Sequence, residues 1–211
     1  DGLTLYFGRR VSNVMRIYEA TRSAPSGPFS SVREILGSST HVVPAWVSPD
    51  NLRMYYHNEG GGGWVVKISQ RASEDDPWPT GTDVSELNAL GDIGDHCLTS
   101  DELTIVFTGN RLPGNIDVYD LWIASRPDRS SPFANIRNLS ELNTDSHDAD
   151  PYITPDGLTL YFGSKPTGTE RVYKASRSSV AQPFDDPEEV VIPGILAAGA
   201  PALSSDEKTL Y

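Results

Sequence analysis

The chain has 211 residues, 37% of them hydrophobic, with 29 acidic against 17 basic side chains and a net charge of −12. Clustered Lys and Arg are what displace counterions from nucleic acid, so this balance excludes a sequence-independent nucleic-acid binder and disfavours an anionic membrane surface. No apolar stretch approaches the ~20 residues of a spanning helix, and the single cysteine, Cys97, excludes an intramolecular disulfide and multi-cysteine zinc clusters.

The first element already carries the phrase that organises the rest. DGLTLYF from Asp1 returns as DNLRMYY from Asp50, DELTIVF from Asp101, DGLTLYF from Asp156 and DEKTLY from Asp206, at steps of 49, 51, 55 and 50 residues. A second landmark keeps the same period. Arg22, Arg71, Arg126 and Arg177 are each followed six residues later by a Pro-aromatic pair, at Phe29, Trp78, Phe133 and Phe184. The Asp-to-Arg distance is 21 residues in three units and 25 in the third, which places a four-residue insertion near Arg111 to Asp117. A fixed period of about 50 residues marks a repeat architecture.

Within a unit the apolar residues alternate with period 2, as strands require. The fourth unit is clearest. Asp150 to Thr154 reads as a short strand, Pro155-Asp156-Gly157 as a turn, and Leu158 to Phe162 as a second strand. Gly163 to Glu170 reads as a hairpin loop, Arg171 to Ser176 as a third strand, and Glu189 to Ile192 as an outer fourth. Four antiparallel strands in about 50 residues are the blade of a β-propeller, because a lone four-stranded sheet cannot cover both of its faces and must stack on a neighbour. The predicted fold is therefore all-β, a propeller of four-stranded antiparallel blades in one domain over residues 1–211. Its units start near 1, 45, 95, 150 and 200, as four repeats plus a partial fifth. Ring closure has two solutions. Either Ala200 to Ser204 pairs with Leu3 to Phe7 and seals four blades, or the last segment begins a fifth blade of a longer chain, which the faithful copy at Asp206 favours.

The stretch from Asp150 to Ser164, with Thr-Pro-Asp-Gly leading into Leu-Thr-Leu-Tyr-Phe, resembles the WD40-like repeat of TolB-type propellers, as does Asp120-Leu-Trp-Ile-Ala-Ser-Arg126. The second unit departs from that pattern, since Trp64 to Arg71 lacks the Asp-Leu-Trp. The resemblance covers essentially the whole chain and implies the propeller fold in a periplasmic or secreted setting. It is nearly silent on activity, because such repeats serve scaffolds, binding proteins and non-catalytic domains alike.

What does not repeat is more informative about function. The loops that enter the innermost strands, at one mouth of the central channel, are rich in ionisable residues: His41 in unit two, Asp92, Asp95 and His96 in unit three, and Asp145, His147, Asp148 and Asp150 in unit four. The equivalent loop of the last unit, Gly194 to Pro201, is mostly Ala and Gly. The expected ligand-binding residues are His41, Asp92, Asp95, His96, His147, Asp148 and Asp150, on the face where loops of several blades converge. Asp145, Asp148 and Asp150 are hard oxygen donors suited to calcium, though their spacing matches no EF-hand loop. No other cofactor is implied.

Three functional readings follow. The first is a non-catalytic binding propeller for a protein, peptide or glycan. The second is a glycoside hydrolase using Asp95 and Asp150, each six residues before a turn aspartate, as carboxylates facing each other across a bond. The glutamates mostly lie outside the entering loops, so no general-acid Glu is evident and binding is preferred over catalysis. The third is a purely structural module of a larger envelope or secreted protein. Gly60 to Gly63 reads as a hairpin tip, Cys97 as a small core residue, and the repeated turn aspartates and arginines as architectural.

Overall fold

The fold is known from a computed structural model that describes residues 2–60, 62–110, 118–195, 197–204 and 208–210. Asp1, Asp206, Tyr211 and the insertion at Arg111 to Asp117 lie outside the described residues. The strands form four antiparallel sheets, each one blade. The first has three strands, β1 (Thr4–Val11), β2 (Val14–Thr21) and β3 (Ser30–Leu36). The second has β4 (Val42–Val47), β5 (Arg53–Gly60), β6 (Gly63–Gln70) and β7 (Thr82–Asp83), followed by the one-turn helix α1 (Ser85–Asn88). The third has β8 (Ile93–Leu98), β9 (Thr104–Asn110), β10 (Tyr119–Ser125) and β11 (Ala134–Asn138), and the fourth β12 (Asp148–Ile153), β13 (Thr159–Ser164), β14 (Arg171–Ser176) and β15 (Glu188–Glu189). In the second to fourth blades β4, β8 and β12 are the innermost strands, paired with β5, β9 and β13. Among the described residues no helix is long and apolar enough to cross a membrane.

The repeated phrase builds the turn between the first two strands. The residue after the aspartate adopts a left-handed backbone in the first four units, with φ of 69° at Gly2, 56° at Asn51, 64° at Glu102 and 74° at Gly157. Glycine takes that conformation freely, whereas Glu102 does so under strain. Two residues before the aspartate, Ser48, Thr99 and Thr154 each donate a hydroxyl hydrogen bond to it and accept the backbone N–H of Arg53, Thr104 and Thr159. The Ser48 hydroxyl, helped by Arg53, pulls the Asp50 carboxyl down to about 2. The Thr154→Val variant loses both bonds while keeping the side-chain shape. It is expected to lower stability by about 1–2 kcal/mol, measured by urea unfolding. No change would show the hydroxyl to be dispensable.

The Arg and Pro-aromatic landmarks meet in space. Each guanidinium lies over its aromatic ring, at 4.5 Å for Arg22–Phe29, 4.2 Å for Arg71–Trp78, 4.3 Å for Arg126–Phe133 and 4.5 Å for Arg177–Phe184. Each Nε donates to the carbonyl of the left-handed turn residue, namely Gly2, Asn51, Glu102 and Gly157. One side chain thus pins the strand turn to the loop leading to the outer strand, which is why the two landmarks hold their spacing.

Blades pack in series. Ile17, Leu36, Val42, Met54 and Tyr56 fill the first interface, Tyr55, Val66, Ile93, Ile105 and Phe107 the second, and Val106, Leu121, Ile153, Leu160 and Phe162 the third. Full burial of one such side chain contributes about 1.5–3 kcal/mol, and each cluster draws side chains from two adjacent blades. Cys97 belongs to the third core, and burial pushes its thiol up to about 11. Glu102, 1% exposed, bridges the second and third blades: Arg53 reaches it at 2.7 Å, Arg129 at 3.5 Å and Arg126 at 3.8 Å.

One expectation needs correction. The fourth strand of the last blade is Glu188–Glu189 rather than Glu189 to Ile192, because Pro187 and Pro193 limit the ladder and Val191 stands 78% exposed. Of the two ring closures the sequence leaves open, the pairing of Ala200 to Ser204 with Leu3 to Phe7 is not found among the described residues. There β1 pairs with β2, while Leu203 bridges Leu210 and the Ser204 N–H donates to the Thr209 carbonyl. The helix α1 was not expected. It belongs to a tetrapeptide written twice, Ser85-Glu-Leu-Asn88 and Ser140-Glu-Leu-Asn143. In both, the Asn amide accepts the N–H and donates to the C=O of one third-strand residue, Val66 or Leu121.

Candidate functional site

The three innermost strands carry the same irregularity. Their registers shift between Pro44 and Trp46, Ile93 and His96, and Ala149 and Tyr152. A bulge adds an unpaired residue and re-aims its side chain. Pro44, Asp95 and Asp150, each six residues before a turn aspartate, lie at these bulges, and Asp150 adopts a φ of 53° there. A cavity of about 300 Å³ opens between the second, third and fourth blades, lined by His57, Trp64, Asp95, Tyr119, His147 and Asp150 together with Val43, Gly94, Thr108 and Ala149.

The two carboxyls are in direct contact. Asp150 is hydrogen-bonded to Asp95 and receives the backbone N–H of Ala200; burial first, and then the Asp95 carboxyl, raises it to about 6. Two carboxylates this close repel each other, which favours the protonated form of Asp150. Asp95 forms the solvent side of the pair, with a side chain 58% exposed. Behind it, His57 Nδ1 lies 3.8 Å from Asp95 Oδ1, and His57 Nε2 is 2.7 Å from His96 Nδ1. Burial alone depresses His57 to about 4, and burial followed by the charge of His57 depresses His96. Both rings are therefore neutral near pH 7, and one proton bridges them.

The aromatic wall is fixed by a residue that the sequence offered as a ligand. Asp92 accepts the backbone N–H of Trp64 and the hydroxyl of Tyr119, the latter at 2.8 Å, so it sets both rings. Trp64 stands edge-on to His57 and to His41, each at 6.2 Å, and Tyr119 edge-on to His147 at 5.2 Å.

Of the predicted site residues, the fold brings Asp95, His147 and Asp150 together at the cavity. His96 sits beneath them as partner of His57. His41 stands at the edge, accepting the Met15 N–H and reaching Glu59 at 3.7 Å. Asp148 is fully buried, its oxygens taken by Ser164 and Thr144, and Asp145 is exposed in the loop before it. Among the described residues no group of three or more His, Cys, Asp and Glu side chains is arranged to hold a metal ion.

The sequence reading missed His57, Trp64 and Tyr119. A signal for the first existed. Seven residues after the turn aspartate the units place Gly8, His57, Thr108 and Gly163, and at this variable position His57 and Thr108 line the cavity beside Asp95 and Asp150.

No protein-family model matches the chain, and no curated protein sequence does. Its fold matches solved structures. TolB from Acinetobacter baumannii aligns with a TM-score of 0.64 at 16% identity, over 99% of this chain and 46% of that one. A protein assigned as TolB from Agrobacterium tumefaciens aligns at 0.62 and 16% identity, over 90% of this chain and 60% of that one. A chain of a nidogen/laminin complex aligns at 0.61 and 13%, over 98% of this chain and 68% of that one. This chain thus spans less than two thirds of either TolB chain. At these identities what it shares with them is the β-propeller fold, the one its repeats predict.

Proposed function

We propose that the chain is a non-catalytic binding propeller that seats a protein or peptide segment, or a glycan, in the cavity at the channel mouth. The observation that carries this reading is the Asp95–Asp150 pair framed by Trp64 and Tyr119, a polar floor with aromatic walls contributed by three blades. Aromatic faces beside a carboxyl pair suit a basic side chain or a polyhydroxyl ring. A protein partner is supported by the propeller solved as part of a nidogen/laminin complex. The TolB-type resemblance supports a periplasmic or secreted setting.

The hydrolase reading is not favoured. A glycosidic bond needs its two carboxyls about 5–10 Å apart, whereas Asp95 and Asp150 touch. Peptide and glycan arrays probed with the wild-type chain and with Asp95→Asn, Asp150→Asn and Trp64→Ala test the binding reading. Losing the cavity contacts is expected to weaken the captured probe by about 10-fold or more, with unchanged circular dichroism. His96→Ala is unsuitable, because it empties a buried site. A probe held equally well by all three variants places the binding surface elsewhere.

A further inference from the structure

The four latch arginines differ in one respect that bears on ligand binding. Beyond the turn carbonyl and the aromatic ring, Arg71 and Arg126 each meet a tyrosine of the preceding blade. Arg71 faces Tyr6, whose hydroxyl feels its charge, and Arg126 Nη2 donates to the Tyr55 hydroxyl at 3.0 Å with Glu102 3.8 Å away. In the next unit both acceptors are gone. The position of Tyr6 and Tyr55, five residues after the turn aspartate, is Val106, and the position of Glu102 is Gly157.

Arg177 keeps the bond from Nε to Gly157 and one from Nη1 to the Val180 carbonyl, but its Nη2 has no partner although the residue is only 6% exposed. A buried donor left unpaired is costly, and a buried cation without a counter-charge more so. Burial, and then the charge of Arg137, pushes this guanidinium below its ordinary value. The side chain opens on a cavity of about 340 Å³ between the third and fourth blades, lined also by Thr104, Ser125, Asn135, Arg137 and Gln182. No carboxylate is among the lining residues, in a chain with 29 acids. The adjacent acid, Glu141, pairs with Arg137 at 2.9 Å.

We propose that this cavity is an oxyanion site, in which Arg177 Nη2 and the hydroxyl and amide groups around it bind a carboxylate or phosphate. The guanidinium fork matches either group, and the ligand supplies the acceptor that Tyr55 and Glu102 supply one blade earlier. The site is separate from the channel mouth and does not depend on the binding reading given for it.

Thermal melts of the folded chain in sodium acetate, sodium phosphate and sodium chloride at matched ionic strength test the proposal. A saturable rise of about 2–4 °C is expected in acetate or phosphate over chloride at tenfold half-saturation, and the responding salt identifies the source of the oxyanion. Arg177→Lys, which keeps the charge and loses the fork, is expected to reduce the rise to about 1 °C or less. Equal melts in all three salts overturn the site, as does an undiminished response in Arg177→Lys.

Discussion

Replacing Glu102 with alanine is expected to lower the unfolding free energy by about 3–5 kcal/mol, the loss typical when one member of a buried ion pair is removed. The carboxylate is nearly inaccessible and receives Arg53 at 2.7 and 2.9 Å from the second blade, with Arg126 and Arg129 from the third. Without it the buried Arg126 keeps only the Tyr55 hydroxyl, the Glu102 carbonyl and its aromatic ring. Backbone strain separates two effects in one position. Glycine relieves the left-handed φ of 64°, so Glu102→Gly should be less damaging than Glu102→Ala by about 1 kcal/mol. Urea unfolding of both variants gives the comparison. A loss below about 1 kcal/mol in Glu102→Ala would show that the carboxylate does not join the blades.

The second large effect is on acid stability. His57 is held neutral in the fold at about 4 against 6.5 for the free side chain. Its stabilisation is complete above pH 6.5 and is lost as pH falls, because the unfolded chain takes up the proton first; at pH 4 the loss is about 3 kcal/mol. His96 acts in the same direction. Asp150 acts oppositely. Raised to about 6 from 3.8, it binds its proton in the fold first, so stability grows as pH falls from 6 toward 4 by about 2 kcal/mol. The groups facing this pair are Asp95 and His147, with Glu170 behind Gly163. The wild-type chain should therefore show a shallow profile between pH 6 and 4. Asp150→Asn removes the opposing contribution and is expected to lose about 2 kcal/mol across that interval, read by urea unfolding at each pH. A flat profile in Asp150→Asn would mean that the histidines are not held neutral by burial.

Much of the scaffold is legible in the chain because its rules act locally. The turn aspartate, the left-handed residue after it and the Arg with its aromatic ring lie within one unit, so their spacing survives repetition and reveals the blades. Asp95 and Asp150 were legible for the same reason, as equivalent positions that carry charge. Their contact was not, since it depends on two bulges and on the packing of one blade against the next. Asp92 and Asp148 illustrate the converse. Both are acidic residues in entering loops, but each satisfies backbone and hydroxyl donors, and sequence does not distinguish a carboxylate that binds from one that organises. The cavity needs Trp64 and Tyr119, and the Trp64 N–H bond to Asp92 and the edge contact of Tyr119 with His147 run between units.

The bulge at each innermost strand has a consequence for how such a chain can change. The turn and its arginine latch are satisfied within the turn and the loop to the outer strand, while Asp95 and Asp150 at two of the bulges, and His57 and Thr108 seven residues after a turn aspartate, line the cavity without supporting the turn. Proline, aspartate and aspartate already occupy the three bulges on one backbone plan. The identity of the side chain at these positions is thus separable from the contacts that set each blade, and a duplicated unit can vary there without renegotiating its fold.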